Sequence, residues 1–296
     1  MLQEMAGHGF EWVELSHGIK ITLVPGILKA VAEGVVKIAS CHNFCPLPTG
    51  VTHAAPNLYL PSSADARERD MWLRQSKRTL DFAHQVGAAK VVLHLGSVEF
   101  FWFNPARKVD AYLESHEGAD LANDAAYQKL LAKSLAKLKE RMPPYWENTK
   151  QGLLDLLPYA EQKGLKLGFE NREALEELPL DADHPDLIAA MAKPSACGYW
   201  HDSGHAHIKE TMGLLNHREH LGKNAPNAIG FHLHDVSAEG SDHQAIGSGK
   251  IDFAMVSSFW RPEHTLVIEL SPRLTVEEML ASKKRVEELV AARFGR

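Results

Sequence analysis

Cysteine is scarce in this chain: three residues in 296, Cys41, Cys45 and Cys197. Three thiols make no disulfide framework. A chain of this length needs none, since it can bury roughly three-quarters of its unfolded surface. Cys41-His-Asn-Phe-Cys45 has a loose C-x3-C spacing and no second Cys/His pair at finger spacing, so both cysteines read as ordinary strand-end or loop residues. No stretch approaches the roughly 18 apolar residues of a membrane span. The N-terminus lacks a basic region followed by an apolar core, which excludes a signal peptide and leaves a cytoplasmic protein as the default. Positive charge is also short: 32 Lys and Arg against 38 Asp and Glu give −6. That balance argues against nucleic acid as the main partner. No basic stripe with interleaved aromatics offsets it, because the Lys137–Arg141 and Lys283–Arg285 clusters fall on expected helices, where solvated faces are usual. The dinucleotide fingerprint G-x-G-x-x-G is missing as well. Gly247-Ser-Gly249 has two glycines only and reads as a tight turn.

What the chain has in excess is histidine, with 17 residues. It also has a regular alternation of strand and helix patterns. Short apolar strands are expected at Trp12–Leu15, Val35–Ala39, Lys90–His94, Lys166–Glu170, Gly198–His201, Ile229–Leu233 and Thr265–Leu270. Helices are expected at Pro25–Ala32, Arg67–Val86 (stopped by Gly87), Asp124–Glu140, Trp146–Lys163, Pro185–Ala192 and Thr275–Phe294. The last opens with a Thr275-x-x-Glu278 capping box. Repeated βα units with buried strands imply a parallel sheet covered by helices. The fold class is α/β, a TIM (β/α)8-type barrel that lacks or replaces its first strand. Seven strands are counted, and residues 1–9 read as the tail of a helix running into a glycine turn. Either the true start lies upstream or the barrel is incomplete. A single domain, residues 1–296, with an insertion at about 98–145, is expected.

Four of these strands end on metal-capable side chains. LGFEN ends on Glu170, YWHDSGH supplies Asp202 and His205, IGFHLHD supplies His232, and LVIEL supplies Glu269. Delivering one ligand from each strand's C-terminal end is how a parallel barrel builds a site. Two Glu, one Asp and one His suit a divalent cation. Each residue has a plainer alternative. Glu170 could pair with Arg172, and Asp202 could cap a helix. His232 and His234 alternate onto one strand face, so one of them could be a core histidine. Glu269 stands alone in an otherwise apolar strand, and an unpaired buried carboxylate is costly. His94, at the end of VVLHLGS, and His53, in VTHAAPNL, lie on the same expected rim. Asp242-His243 is a loop pair of low specificity.

The ordered series VTHAAPNL, VVLHLGS, LGFENRE, HDSGHAH, FHLHD, IGSGKIDF and LVIELSP resembles the xylose isomerase-like TIM barrel superfamily, from about Trp12 to the C-terminus. That superfamily holds sugar and sugar-phosphate isomerases and epimerases, keto-polyol dehydratases and apurinic endonucleases. The resemblance implies a divalent metal (Mn, Zn, Co or Mg) on Glu170, Asp202, His232 and Glu269. Glu170 and Glu269 would double as the proton-transfer pair. It also implies that His205 touches a substrate oxygen. The endonucleases add a histidine pair and a third metal site. His53 and His94 resemble that pair, with Glu170 bridging, and His205 and His243 resemble part of the third site. That site wants an Asp two residues before its second His, where this chain has Ser241, with Asp242 off register.

The expected activity is therefore metal-dependent isomerisation or epimerisation of a small sugar, sugar phosphate or polyol. The alternative is a two-zinc hydrolase or lyase, and a binding module that retains its ligands is the non-enzymatic one. His205, His94, Arg172 and Arg273 are candidate substrate contacts. The aromatic run Phe101-Trp102-Phe103 is read as a lid over the site or as a contact in a homo-oligomer.

Overall fold

The computed structural model describes residues 1–116, 120–191 and 194–295. They divide into two compact units. The first comprises Met1–Gly96, Trp146–Glu170 and Asp186–Gly198, and the second Ser97–Tyr145, Asn171–Pro185 and Tyr199–Arg296.

In the first unit four strands run parallel in sequence order: β1 (Trp12–Leu15), β2 (Lys37–His42), β3 (Lys90–Leu93) and β4 (Lys166–Glu170). Helices Val24–Ala32, Ala66–Gln85 and Pro143–Gln162 connect them. The long connecting helix begins where Asp65 accepts a hydrogen bond from Arg67 N, and it ends before Gly87, whose φ of 76° suits a residue without Cβ. β2 differs from the sequence expectation. Apolar pattern alone ends it at Ala39, but pairing of Cys41 with Val91 and His42 with Val92 extends it to His42. β1 is the least buried strand of this unit, and Val91 to Leu93 and Leu167 to Glu170 are wholly buried.

The second unit carries most of β5 (Cys197–Asp202), with β6 (Ala228–Leu233) and β7 (Thr265–Ile268), again parallel and in order. All six residues of β5 are buried, whereas β7 is half-buried along its length. Two helices within 98–145 belong here, Pro105–Ser115 and Ala125–Arg141. The side chains of Asn104 and Asp124 accept from their first-turn N–H groups. Glu117, Gly118 and Ala119 of the expected insertion lie outside the described residues. The helix expected at Pro185–Ala192 is observed at His184–Ala190, and Ala192 lies outside the described residues. Thr275 and Glu278 form the reciprocal capping box expected at the start of the last helix, Val276–Phe294. Seven strands, all parallel to their paired neighbours, are found among the described residues. Among these residues no helix is long and apolar enough to cross a membrane.

Candidate metal centre

The strand ends of the first unit bring three groups together. Glu170, the last residue of β4, is 1% exposed. Its Oε2 lies 2.8 Å from His94 Nε2 and 3.5 Å from His42 Nε2. His42 Nδ1 lies 2.9 Å from the Asn43 carbonyl, which can only accept, so that nitrogen carries the proton of the neutral ring. His42 Nε2 then has a lone pair, and it faces a carboxylate oxygen. Two lone pairs converging in a buried site call for a proton or a cation between them, so the donor chemistry fits a divalent ion. His94 Nδ1 is held by Asn57 Oδ1 at 2.9 Å, which turns its Nε2 toward Glu170.

His42 was not among the residues the sequence singled out. His53, its counterpart in that reading, is exposed on the loop after β2 and belongs to no metal-type cluster among the described residues. The signal that could have found His42 was present in Cys41-His-Asn-Phe-Cys45. The apolar pattern of β2 hides it by ending at Ala39, three residues earlier.

In the second unit Asp202, His232 and Glu269 converge. Asp202 and His232 are fully buried and Glu269 is 23% exposed. His232 Nδ1 stands 3.0 Å from Glu269 Oε2 and 3.9 Å from Asp202 Oδ2. The two oxygens of Asp202 have different tasks. Oδ1 accepts from His205 N at 2.8 Å and caps helix Ser203–Thr211, while Oδ2 meets His234 Nε2 at 3.0 Å. Cap and candidate ligand are thus one residue. His234 Nδ1 accepts from His243 N at 2.9 Å, so its Nε2–H donates to Asp202. Gly204 makes room for that ring, because a Cβ there would lie 2.1 Å from His234 Cε1.

His205, Glu173 and Asp242 form a further group in this unit, with His205 Nε2 4.0 Å from Asp242 Oδ2. Asp242, off register in the sequence, reaches this group. It also bonds His243 Nδ1 at 2.8 Å, and His243 stacks on His234 with ring centroids 4.4 Å apart. Burial opposes charge on His243, but hydrogen bonds to Asp242 and Glu269 outweigh it and push its pKa up to about 11. Burial likewise pushes the Glu173 carboxyl above its usual range. Arg172 is buried, its Nε donating to Glu177 Oε1 at 3.1 Å, with NH1 3.4 Å from His205 Nδ1. Arg273 is exposed. Phe101, Trp102 and Phe103 are 83%, 81% and 78% exposed, a tip whose base is held by Arg141 Nε donating to the Glu99 carbonyl. The Gly247-Ser-Gly249 turn closes on a carboxylate: Asp235 Oδ2 accepts from Gly247 N at 3.0 Å and Gly249 N at 2.9 Å.

Four other histidines lie behind β5. The rings of His184, His201, His217 and His220 pack around Tyr199 and Phe231. Burial depresses all four: His184 and His201 well below the ordinary range, His217 to about 3 and His220 to about 4. Their rings are neutral.

Parallel βα units define the class of β/α barrels, and the carboxylates and imidazoles at their strand ends form groups that could hold a metal ion. The chain belongs to the xylose isomerase-like TIM barrel family, whose sequence model matches residues 2–261. Solved structures of the same fold include a D-tagatose 3-epimerase-like protein, at 17% identity with TM-score 0.70, covering 98% of this chain and 92% of that one. They include the IOLI protein with a bound zinc atom, at 16% identity and TM-score 0.66, covering 100% and 93%. The 3-keto-D-glucoside 4-epimerase YcjR from E. coli is similar at 13% identity and TM-score 0.64, covering 97% and 92%. No curated protein matches the chain. The barrel class expected from the sequence therefore stands, with seven described strands where the complete form has eight.

Proposed function

We propose that this protein is a divalent-metal-dependent isomerase or epimerase of a small sugar, sugar phosphate or keto-polyol. Glu170, Asp202, His232 and Glu269 form its ligand set. The observation that carries the reading is the buried His232 ring beside the carboxylates of Asp202 and Glu269. The family supports it, and so do the fold neighbours, a D-tagatose 3-epimerase-like protein and a 3-keto-D-glucoside 4-epimerase.

A bound Mn, Co, Zn or Mg ion would supply Lewis-acid polarisation of the substrate ketone. Glu170 and Glu269 act as the proton-transfer pair. One takes the proton α to the ketone, leaving an enediolate, and the other returns a proton to the opposite face or the neighbouring carbon. His205, His94, Arg172 and Arg273 hold substrate oxygens. Trp102, on its exposed loop, closes over the substrate from the 98–145 insertion. The test is a ketose panel with Mn²⁺ or Co²⁺ and Glu269→Gln. Turnover falls about 10²- to 10⁴-fold in the variant, and full turnover in a folded variant overturns the proton-transfer role.

One observation favours a second reading, a two-zinc hydrolase or lyase. His42 and His94 converge on Glu170, a residue shared with the ligand set proposed above. Metal stoichiometry separates the two. Two tightly held zinc ions per chain, one lost in His42→Ala or His94→Ala, favour hydrolysis or lyase chemistry, and one exchangeable ion favours isomerisation.

A further inference from the structure

Asp202 is held by more than its own side chain. Asn171, the residue after β4, clamps its backbone: Asp202 N donates to Asn171 Oδ1 at 2.7 Å, and Asn171 Nδ2 donates to the Asp202 carbonyl at 3.0 Å. This pair of bonds fixes which end of the Asn171 amide is oxygen. The Asn171 carbonyl also lies 3.0 Å from His205 Nδ1. One side chain therefore ties down a proposed metal ligand while its backbone steadies a proposed substrate contact.

Asn171 is itself locked from behind β5. Tyr199 Oη donates to Asn171 Oδ1 at 2.9 Å and lies 2.8 Å from both His201 Nδ1 and His220 Nε2. A phenol has one proton. Asn171 Oδ1 has only lone pairs to offer, so the proton goes there, and both imidazoles must donate to the phenol oxygen. In a neutral ring that leaves His201 Nε2 as an acceptor. His217 Nε2, 3.0 Å away, must then carry the hydrogen. His220 Nδ1 is left as the acceptor that faces the Asn224 amide nitrogen at 3.5 Å. Every proton in the chain has one place, and each tautomer is set by its neighbour. Tyr199, Asn171 and His201 are wholly buried, and His217, His220 and Asn224 are no more than 6% exposed. Water is therefore not available to substitute for a lost partner.

From this geometry we infer that Asn171, Tyr199, His201, His217 and His220 are positioning residues for the metal centre: His217 donates to His201, His201 and His220 both donate to Tyr199, and Tyr199 donates to Asn171, which holds Asp202 in register with His232 and His234. The inference rests on Asp202 being a metal ligand, as proposed above. Its chemistry is orientation alone, and none of these side chains touches substrate.

The test is Tyr199→Phe, which keeps the ring and removes the hydroxyl. Co²⁺ affinity by calorimetry and the Co²⁺ visible absorption spectrum are read beside the far-ultraviolet circular dichroism of the full chain. The expected result is a wild-type fold, Co²⁺ binding weakened about 10- to 100-fold, as for lost partners of other metal ligands, and an altered ligand-field spectrum. His217→Gln keeps an N–H donor toward His201 and should restore wild-type affinity, whereas His217→Leu should behave as Tyr199→Phe does. Should Tyr199→Phe fail to fold, the His217 pair carries the same comparison. A folded Tyr199→Phe with wild-type affinity and spectrum, or equal behaviour of His217→Gln and His217→Leu, overturns this positioning role. A wild-type chain that binds no Co²⁺ overturns instead the metal reading beneath it.

Discussion

Two groups of histidines lie within the second unit, and their surroundings give them opposite characters. At the strand ends His232, His234 and His243 each meet a carboxylate, and the bonds of Asp242 and Glu269 push His243 up to about 11. Behind β5, His184, His201, His217 and His220 meet one another and a phenol, and burial drives His217 down to about 3 and His220 to about 4. His232 and His234 are as buried as the second group and His243 is 30% exposed, so among the buried rings the difference comes from the partner. Carboxylates make a place for positive charge, which a metal ion can take. A ring of neutral donors and acceptors fixes orientation and excludes charge.

Acid should break this contrast on the neutral side first. A histidine whose folded pKa lies below its unfolded value of about 6.5 costs nothing above that pH. As pH falls below 6.5, the unfolded chain binds the proton and the folded chain does not, so stability is lost down to the folded value. For His217 the window runs from 6.5 to about 3. At pH 4.5 the loss is about 2–3 kcal/mol. Urea unfolding at pH 7 and pH 4.5 should show a smaller pH dependence in His217→Gln by about that amount, and an unchanged pH dependence would count against a neutral buried ring.

A steric change sharpens the other side. A methyl group at Gly204 meets the His234 ring, which must leave Asp202. Gly204→Ala should lose about 1–3 kcal/mol in urea unfolding and bind metal more weakly. Unchanged binding would show that His234 does not orient Asp202. The smallest effect is expected at the exposed tip. Trp102→Ala should shift stability by less than about 0.5 kcal/mol, and a raised KM with unchanged stability would support its role over the substrate.

Much of the architecture was legible because barrel strands are short apolar runs and their carboxylate ends are conspicuous. Glu170 and Glu269 stand out in LGFE and LVIEL for that reason. His42 was not legible, because strand length in β2 is set by pairing with β3 and not by its own pattern. Helix His217–Asn224 was hidden as well. Its sequence, HREHLGKN, lacks an apolar stripe, and the face it buries is made of His217, His220, Leu221 and Asn224. Amphipathic reasoning cannot see a helix whose core face is polar, and that same helix supplies two of the positioning histidines. Asp242 is off register by one position in the sequence, yet a loop whose His243 adopts φ 54° brings it to both His205 and His243.

The central claim is that Asp202, held from behind, is a ligand for a divalent ion. Its most direct test is calorimetric titration of the chelator-treated full chain with Mn²⁺, wild type beside Asp202→Asn. The account predicts saturable binding by the wild type, weakened about tenfold or more in the folded variant. Equal binding by the two proteins, or none by the wild type, would contradict it.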